Sequence, residues 1–160
     1  MKPTIYMALT DDWELRGNGS GDIERIQFRP MRELVRIYDR HGVRGTFLAE
    51  VMQQLAFRKF QARHTELKPL ADAWDEHVRE TFKRGHDVQL HIHSQWSDAT
   101  YESGVWRLGG DWSILKHGPE RAREMLRGGK EYLENLLRPV DPSYRCVAFR
   151  AGSSVIAPSP

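Results

Sequence analysis

Short apolar runs alternate along this chain with segments whose apolar residues recur at helical spacing. A short apolar run is typical of a buried strand, and a 3.6-residue period is typical of a helix. The order therefore predicts strand, helix, strand, helices, strand, helix, strand, with parallel strands covered by crossover helices. We expect an α/β fold in a single domain over residues 1–160. The predicted strands lie at residues 5–9, 45–49, 87–93 and 145–149.

The predicted helices are bounded by proline or glycine. Proline fits the first helical turn, where its missing N–H has no partner to lose, and glycine readily takes the left-handed conformation just past a helix end. Gly129 falls on the apolar stripe of the last helix, which predicts close packing there. The helices are expected at residues 30–41, 67–84 and 119–137, with a weaker helical period at 51–63.

Composition excludes several classes of function. The chain has 24 Lys and Arg against 22 Asp and Glu, a net charge of +2, and no basic run of the kind a nucleic-acid binder needs. Its longest apolar run is far shorter than a membrane span, and its N-terminus lacks the apolar segment typical of a signal peptide. A single cysteine, Cys146, excludes an intrachain disulfide and a Cys-rich zinc site. We expect a cytoplasmic protein in which histidine and carboxylate hold any metal.

Ionisable residues fall near the carboxyl ends of the predicted strands. Asp11 and Asp12 follow the first strand, His91 and His93 lie at the end of the third, and Arg150 follows the last. The carboxyl ends of parallel strands meet at one edge of the sheet, where α/β proteins bind their ligands. We therefore expect these five side chains to share one rim.

Their chemistry predicts a metal site. Two histidines two residues apart share a strand face, so both rings can reach one ion, and a carboxylate would complete a three-ligand site with open positions. Asp11 and Asp12 should diverge, so that one binds the metal while the other takes a proton from water, oriented by Arg150. Each feature also has a common structural role: a turn or helix cap, an unliganded histidine pair, a surface arginine.

Tryptophan is abundant in the predicted loops. Four of the five tryptophans lie there, and flat indole rings at a loop surface are suited to stacking on a ligand. Packing of these rings back over the core is the alternative for each. The four are Trp13, Trp96, Trp106 and Trp112.

Four segments resemble the polysaccharide deacetylase family (NodB homology, carbohydrate esterase 4). They read LTDDWE at residues 9–14, HGVRGTFL at 41–48, GHDVQLHIHSQW at 85–96 and AFRAGS at 148–153. The resemblance extends over essentially the whole chain. It implies a distorted, here partial, (β/α) barrel and a metal-dependent hydrolase that removes N-acetyl groups from a carbohydrate, with zinc as the expected divalent ion.

The resemblance also implies individual roles. Asp11 matches the catalytic base, Asp12 the metal-binding carboxylate, His91 the first metal-binding histidine and Arg150 the residue that positions the base. The family's second histidine lies four residues after the first, where this chain has Gln95. We expect His93 to be the third ligand instead, because imidazole binds zinc far better than a neutral amide does.

Substrate contacts are expected from side chains around this rim. Gln95 would touch the sugar or the water held by the metal, and the indoles would stack on sugar rings. The expected substrate-binding residues are Trp13, Gln95, Trp96 and Trp112.

The chain ends before the family's later strands and its late histidine, which is thought to be the general acid. We therefore expect an incomplete domain whose exposed sheet edges favour a homo-oligomer. A non-catalytic carbohydrate-binding or scaffold domain is the alternative, and hydrolysis of a non-sugar amide is a third possibility. The remaining histidines are candidates for the acid only by default: His41, His64, His77, His86 and His117.

Overall fold

A parallel sheet forms the centre of the molecule. The computed structural model describes residues 3–152. Its strands are β1 (Thr10–Trp13), β2 (Thr46–Glu50), β3 (Asp87–Ile92), β4 (Thr100–Glu102), β5 (Val105–Arg107) and β6 (Phe149–Ala151). β1, β2, β3 and β6 lie side by side in chain order and are all parallel, while β4 and β5 form a separate hairpin. The strand order never reverses, which is the winding of an α/β barrel and not of a doubly wound sheet.

The sheet is curled into a half-barrel. In a flat sheet, β1 and β6 would lie three strand spacings apart, about 14 Å. Arg150 of β6 nevertheless reaches β1, where its Nη1 lies 2.5 Å from Asp12 Oδ1 and its Nη2 lies 2.9 Å from Thr10 Oγ1. This bond across the concave face closes the two edges toward each other. The architecture is α/β and compatible with the predicted partial barrel.

Helices connect the strands, as the periodicity predicts. The first predicted helix begins earlier than its proline, because a π-helical segment (Glu24–Phe28) leads directly into it. No helix within residues 3–152 is both long and apolar enough to cross a membrane. The helices are α1 (Arg29–Arg40), α2 (Val51–Phe60), α3 (Leu67–Lys83) and α4 (Pro119–Leu137).

The first strand lies further along the chain than predicted. The side chains at positions 5, 6 and 7 are 91%, 92% and 80% exposed, so the buried strand predicted at 5–9 is wrong. Trp13 accounts for the shift. Its indole stacks on Trp74 of α3 with ring centroids 5.2 Å apart, and its N–H donates to the carbonyl of Gln27. A buried indole removes about 150–250 Å² of surface from water, so β1 takes the register that puts Trp13 in the core.

The last strand is displaced in the same direction, from the predicted 145–149 to β6. The side chain of Gln89 causes the delay, since its Oε1 accepts hydrogen bonds from the backbone N–H groups of Val147 and Ala148, each at 2.8 Å. Those N–H groups are thereby withdrawn from a strand ladder. Regular pairing with β3 begins only at Phe149.

Close packing at Gly129 is confirmed. A Cβ built on this residue would lie 2.7 Å from Leu90 Cδ1 of β3, so α4 rests on the sheet where a side chain cannot fit. A Cβ on the preceding Gly128 would meet nothing within 4 Å among the described residues. Of these two adjacent glycines, packing against the described residues therefore requires only Gly129.

We expect Gly129→Ala to lower the free energy of unfolding relative to Gly128→Ala by about 1–3 kcal/mol, the usual cost of an overpacked core. Both changes gain about 1 kcal/mol of helix propensity, so Gly128→Ala by itself should stabilise the protein. Urea unfolding of the two variants measures the difference. Equal stabilities would show that Leu90 moves aside without cost.

Candidate metal centre

Four side chains converge at the carboxyl ends of three neighbouring strands. Glu14 follows β1, Glu50 ends β2, His91 lies in β3 and His93 directly follows it. One possible ligand atom from each lies within 4.8 Å of the others. Glu50 and His91 are register partners, and the parallel pairing brings all three strand ends to one edge. The group is close enough to bind a metal ion, as predicted for this rim.

His91 presents an unpaired nitrogen to this cluster. Its Nδ1 lies 2.9 Å from the carbonyl oxygen of Arg150. A carbonyl only accepts, so Nδ1 carries the proton and Nε2 keeps its lone pair. The buried Nε2 has no hydrogen-bond partner among residues 3–152, although Glu14 Oε2 lies 3.4 Å away. A lone pair facing a carboxylate oxygen is a geometry that a cation stabilises.

His93 is held differently from His91. Its Nε2 contacts Glu14 Oε2, and its Nδ1 lies 3.2 Å from Gln95 Nε2. The two imidazole rings are T-shaped with centroids 4.9 Å apart, so the predicted sharing of one strand face is confirmed. Glu14 thus stands between two imidazole nitrogens.

Glu50 is buried and already has a structural role. Its Oε1 caps α2 by accepting from the backbone N–H groups of Met52 at 2.8 Å and Gln53 at 3.3 Å, and its Oε2 accepts from that of His93 at 2.5 Å. Burial raises the pKa of Glu50 to about 8, against the opposing effect of these hydrogen bonds and of the His93 ring. Glu50 therefore fixes the start of α2 against the end of β3.

Glu14 is the most accessible of the four, with a side chain 30% exposed. Burial alone would raise its pKa, but the contacts with His91 and His93 outweigh burial and lower the pKa to about 2. Glu14 is therefore a carboxylate at neutral pH. Among the four residues, it therefore presents its negative charge to a cation that approaches from solvent.

Asp12 and Arg150 form a separate pair on the same face of the sheet. Asp12 is not in the four-residue group, and its Oδ1 is bound to Arg150. Arg150 does hold a carboxylate, as expected, but that carboxylate is Asp12 and not Asp11. Side chains alternate along a strand, so Asp12 and Glu14 share the face and lie about 6.6 Å apart along it.

Asp11 lies on the other face of β1. It is the register partner of Phe47 and, two residues before Trp13, shares with it the face of β1 that packs against the helices. Burial raises the pKa of Asp11, the neighbouring Asp12 adds to this effect, and Arg150 opposes it. The structure thus does not bring Asp11 to the cluster, where the base was expected. The first strand begins at residue 10 and not at residue 5, so Asp11 lies within β1. The alternation of side chains along that strand then turns Asp11 away from the cluster.

The predicted substrate contacts divide into buried and exposed groups. Trp13 and Trp96 are 2% and 3% exposed, so the expectation that they contact substrate is corrected: both pack in the core. Trp96 lies against Phe57 and Trp106 because this loop folds back over α2. Trp112 is 48% exposed, and its ring centroid is 6.4 Å from that of His93.

Gln95 is also buried, contrary to the expected sugar contact. Its side-chain nitrogen reaches both His93 Nδ1 and, at 3.3 Å, the carbonyl oxygen of Gly17. Its Oε1 has no hydrogen-bond partner among the described residues. Gln95 therefore acts on the cluster through His93.

His86 occupies the opposite end of the sheet. Its Nδ1 accepts from the backbone N–H of Gly45 at 3.2 Å, and its Nε2 lies 3.2 Å from Asp39. It thus joins the end of α1 to the start of β2 and β3. This arrangement fits a structural role between helix and strand.

Sequence reasoning missed Glu14 and Glu50. Glu50 directly follows the predicted strand 45–49, so the strand-end argument that selected Asp11 and Asp12 applies to it equally. Glu14 was hidden by the early placement of β1. An acidic residue at the carboxyl ends of the first two strands of the sheet was the available signal.

Comparison of the chain with protein-family models, with curated proteins and with solved structures finds no match.

Proposed function

We propose that this protein is a divalent-metal-dependent hydrolase that cleaves the acetamide bond of an N-acetylated carbohydrate, with zinc as the metal. The observation that carries the proposal is the convergence of two imidazoles and two carboxylates at the carboxyl edge of a half-barrel sheet. Nitrogen and carboxylate oxygen together suit zinc, and the orphaned Nε2 of His91 fits a ligand atom. The resemblance to polysaccharide deacetylases supports the choice of substrate.

The hydrogen bonds of Glu50 favour a catalytic site over a closed one. Both of its oxygens already accept backbone N–H bonds. Glu14, His91 and His93 would then be the three protein ligands, and a fourth position would remain for substrate or water. Three ligands and an open position are typical of catalytic zinc, whereas four protein ligands are typical of structural zinc.

Zinc bound here would polarise the acetamide carbonyl and make water more acidic. Asp12 is the carboxylate placed to accept the proton at its Oδ2, since Arg150 holds its Oδ1 on the concave face. Arg150 thereby orients the base, as the resemblance implies, with Asp12 in the place expected for Asp11. Glu14, which lies between the two imidazoles, would offset part of the positive charge of the metal.

Trp112 is the side chain we place against the sugar. Among the large apolar side chains of the described residues, it is exposed and also close to a ring of the cluster. An indole face is suited to stacking on the C–H groups of a pyranose. The carbohydrate would then lie over Trp112 with its acetamide directed at His93.

We expect Trp112→Ala to raise KM for an N-acetylglucosamine oligomer about tenfold while kcat, zinc content and the melting temperature stay close to wild type. Trp96→Ala is the matched control: it removes a buried indole, so it should cost about 3–5 kcal/mol of stability. Steady-state kinetics and thermal unfolding separate the two effects. An unchanged KM in Trp112→Ala would remove Trp112 from the substrate site.

A second candidate function is a metal-holding, non-catalytic carbohydrate-binding domain. It is favoured by the presence of Glu50 within the same 4.8 Å group, since four protein ligands would leave no open position. Acetate release from N-acetylglucosamine oligomers, measured with the zinc-loaded protein, decides between the two. Release that is lost in Asp12→Asn supports the hydrolase, whereas zinc at one equivalent without release supports the binding domain.

A further inference from the structure

The two histidines of the cluster have opposite tautomers. His91 carries its proton on Nδ1, because Nδ1 faces the carbonyl of Arg150 at 2.9 Å. His93 has Gln95 Nε2 at its Nδ1, and the orientation of that amide decides which atom carries the proton.

The carbonyl of Gly17 fixes the orientation of the Gln95 amide. It lies 3.3 Å from Gln95 Nε2 and can only accept, so the amide nitrogen and not the oxygen must face it. The second N–H of the same nitrogen is then left to donate to His93 Nδ1. His93 consequently carries its proton on Nε2, the atom that points at Glu14.

This tautomer blocks the nitrogen that a metal ion needs. A metal binds an imidazole nitrogen through its lone pair. In this tautomer of His93, the nitrogen that faces the cluster is Nε2, and it carries the proton instead of a free lone pair. Moving the proton to Nδ1 would free Nε2, but Nδ1–H then needs an acceptor. The buried and unpartnered Oε1 of Gln95 is that acceptor, one amide rotation away.

We propose that Gln95 is a two-position positioning residue, whose amide donates to His93 in the metal-free protein and rotates to accept from His93 when the cluster binds zinc. The inference rests on the proposed metal site, and it adds the residue that sets the tautomer of one metal ligand, His93. The rotation exchanges a hydrogen-bond donor for an acceptor on the uncharged amide of Gln95. The number of protons bound to His93 stays the same.

Rotation would also move the loop after β1. The rotated amide would place Oε1 against the carbonyl of Gly17, and two acceptors at about 3.3 Å repel each other. Gly17 packs tightly on Trp112, since a Cβ there would lie 3.0 Å from the indole ring. Metal binding would thus be transmitted from His93 through Gln95 to Trp112, the residue that we place against the substrate.

The test observes the tautomer of His93 directly, by ¹⁵N-resolved NMR of the imidazole nitrogens without metal and with zinc. We expect the Nε2–H form without metal and the Nδ1–H form with zinc. Gln95→Glu offers only acceptors, so Nδ1 of its His93 should carry a proton without metal as well. The Nδ1–H form in metal-free wild type, or the Nε2–H form in metal-free Gln95→Glu, would overturn the proposal.

Metal affinity and fluorescence give two further readouts. Gln95→Leu has neither donor nor acceptor, and losing the group behind a ligand weakens metal binding about 10–100-fold, while Gln95→Glu should restore zinc affinity. The zinc-dependent change in tryptophan fluorescence should be present in wild type and absent in Trp112→Phe and Gln95→Leu. The tautomer of the metal-free protein is measured without zinc or substrate, so a failure of this inference is distinguishable from a failure of the proposed function.

Discussion

His91→Ala is expected to lower zinc affinity by more than about 100-fold. Loss of a residue that only hydrogen-bonds to a metal ligand already lowers metal affinity about 10–100-fold, and His91 is itself a proposed ligand. The substitution removes the lone pair of Nε2, the cluster nitrogen left without a hydrogen-bond partner. Competition with a chelating dye and elemental analysis of the purified protein measure the loss. Zinc affinity unchanged from wild type would eliminate this cluster as the metal site.

Two variants keep this test interpretable. His91 is buried, so Glu14→Gln is the second probe: it removes one charge from a partly exposed side chain and should also weaken zinc binding without unfolding the protein. His41→Ala changes an exposed histidine at the end of α1 and should leave zinc affinity unchanged. A loss of affinity in His41→Ala would indicate non-specific binding by surface histidines.

The histidine half of the site could be predicted from the sequence because it depends only on local geometry. His91 and His93 are two residues apart in a strand, so they share a face whatever the rest of the chain does. The helices were predicted for the same reason, because the spacing of apolar residues and the proline or glycine that bounds a helix are local features of the sequence. Gly129 is one case in which a single residue on an apolar stripe correctly predicted a tertiary contact.

The carboxylates on and after β1 could not be assigned from the sequence because their orientation depends on where β1 begins. A shift by one residue exchanges the two faces of a strand, and the apolar run at positions 5–7 outweighed Trp13 in the pattern. The structure shows that the burial of Trp13 on Trp74 sets this register. Asp12 and Glu14 then face the concave side, and Asp11 faces the helices.

Glu50 shows a second limit of the sequence. The residue has the position expected of a site carboxylate and the hydrogen bonds of a helix cap, and no pattern in the chain distinguishes these roles. Its partners Met52 and Gln53 are local, but the third, the backbone N–H of His93, comes from another strand. Only the three-dimensional pairing shows that one carboxylate joins α2 to the metal-binding strand.

Asp12→Asn should reduce acetate release about 10²–10⁴-fold, the usual contribution of a general base, while zinc affinity stays within about tenfold of wild type. The amide retains the size of the side chain and a hydrogen-bond acceptor for Arg150 but cannot take a proton. Asp12 is partly exposed, so the loss of its ion pair should cost less than about 1 kcal/mol of stability. Kinetics and zinc titration of the same preparation separate the two properties.

Asp11→Asn is the matched control, since it makes the same chemical change one residue away on the opposite face of β1. We expect it to retain turnover within about tenfold of wild type, because its side chain lies on the same face of β1 as Trp13 and points toward the helices. The pair of variants thus tests the strand register and the identity of the base in one comparison. Turnover lost in Asp11→Asn and kept in Asp12→Asn would restore the assignment implied by the resemblance and would require β1 to present its other face to the cluster. Loss of zinc in Asp12→Asn would instead make Asp12 a ligand and leave Glu14, with its position between the two imidazoles, as the carboxylate that takes the proton.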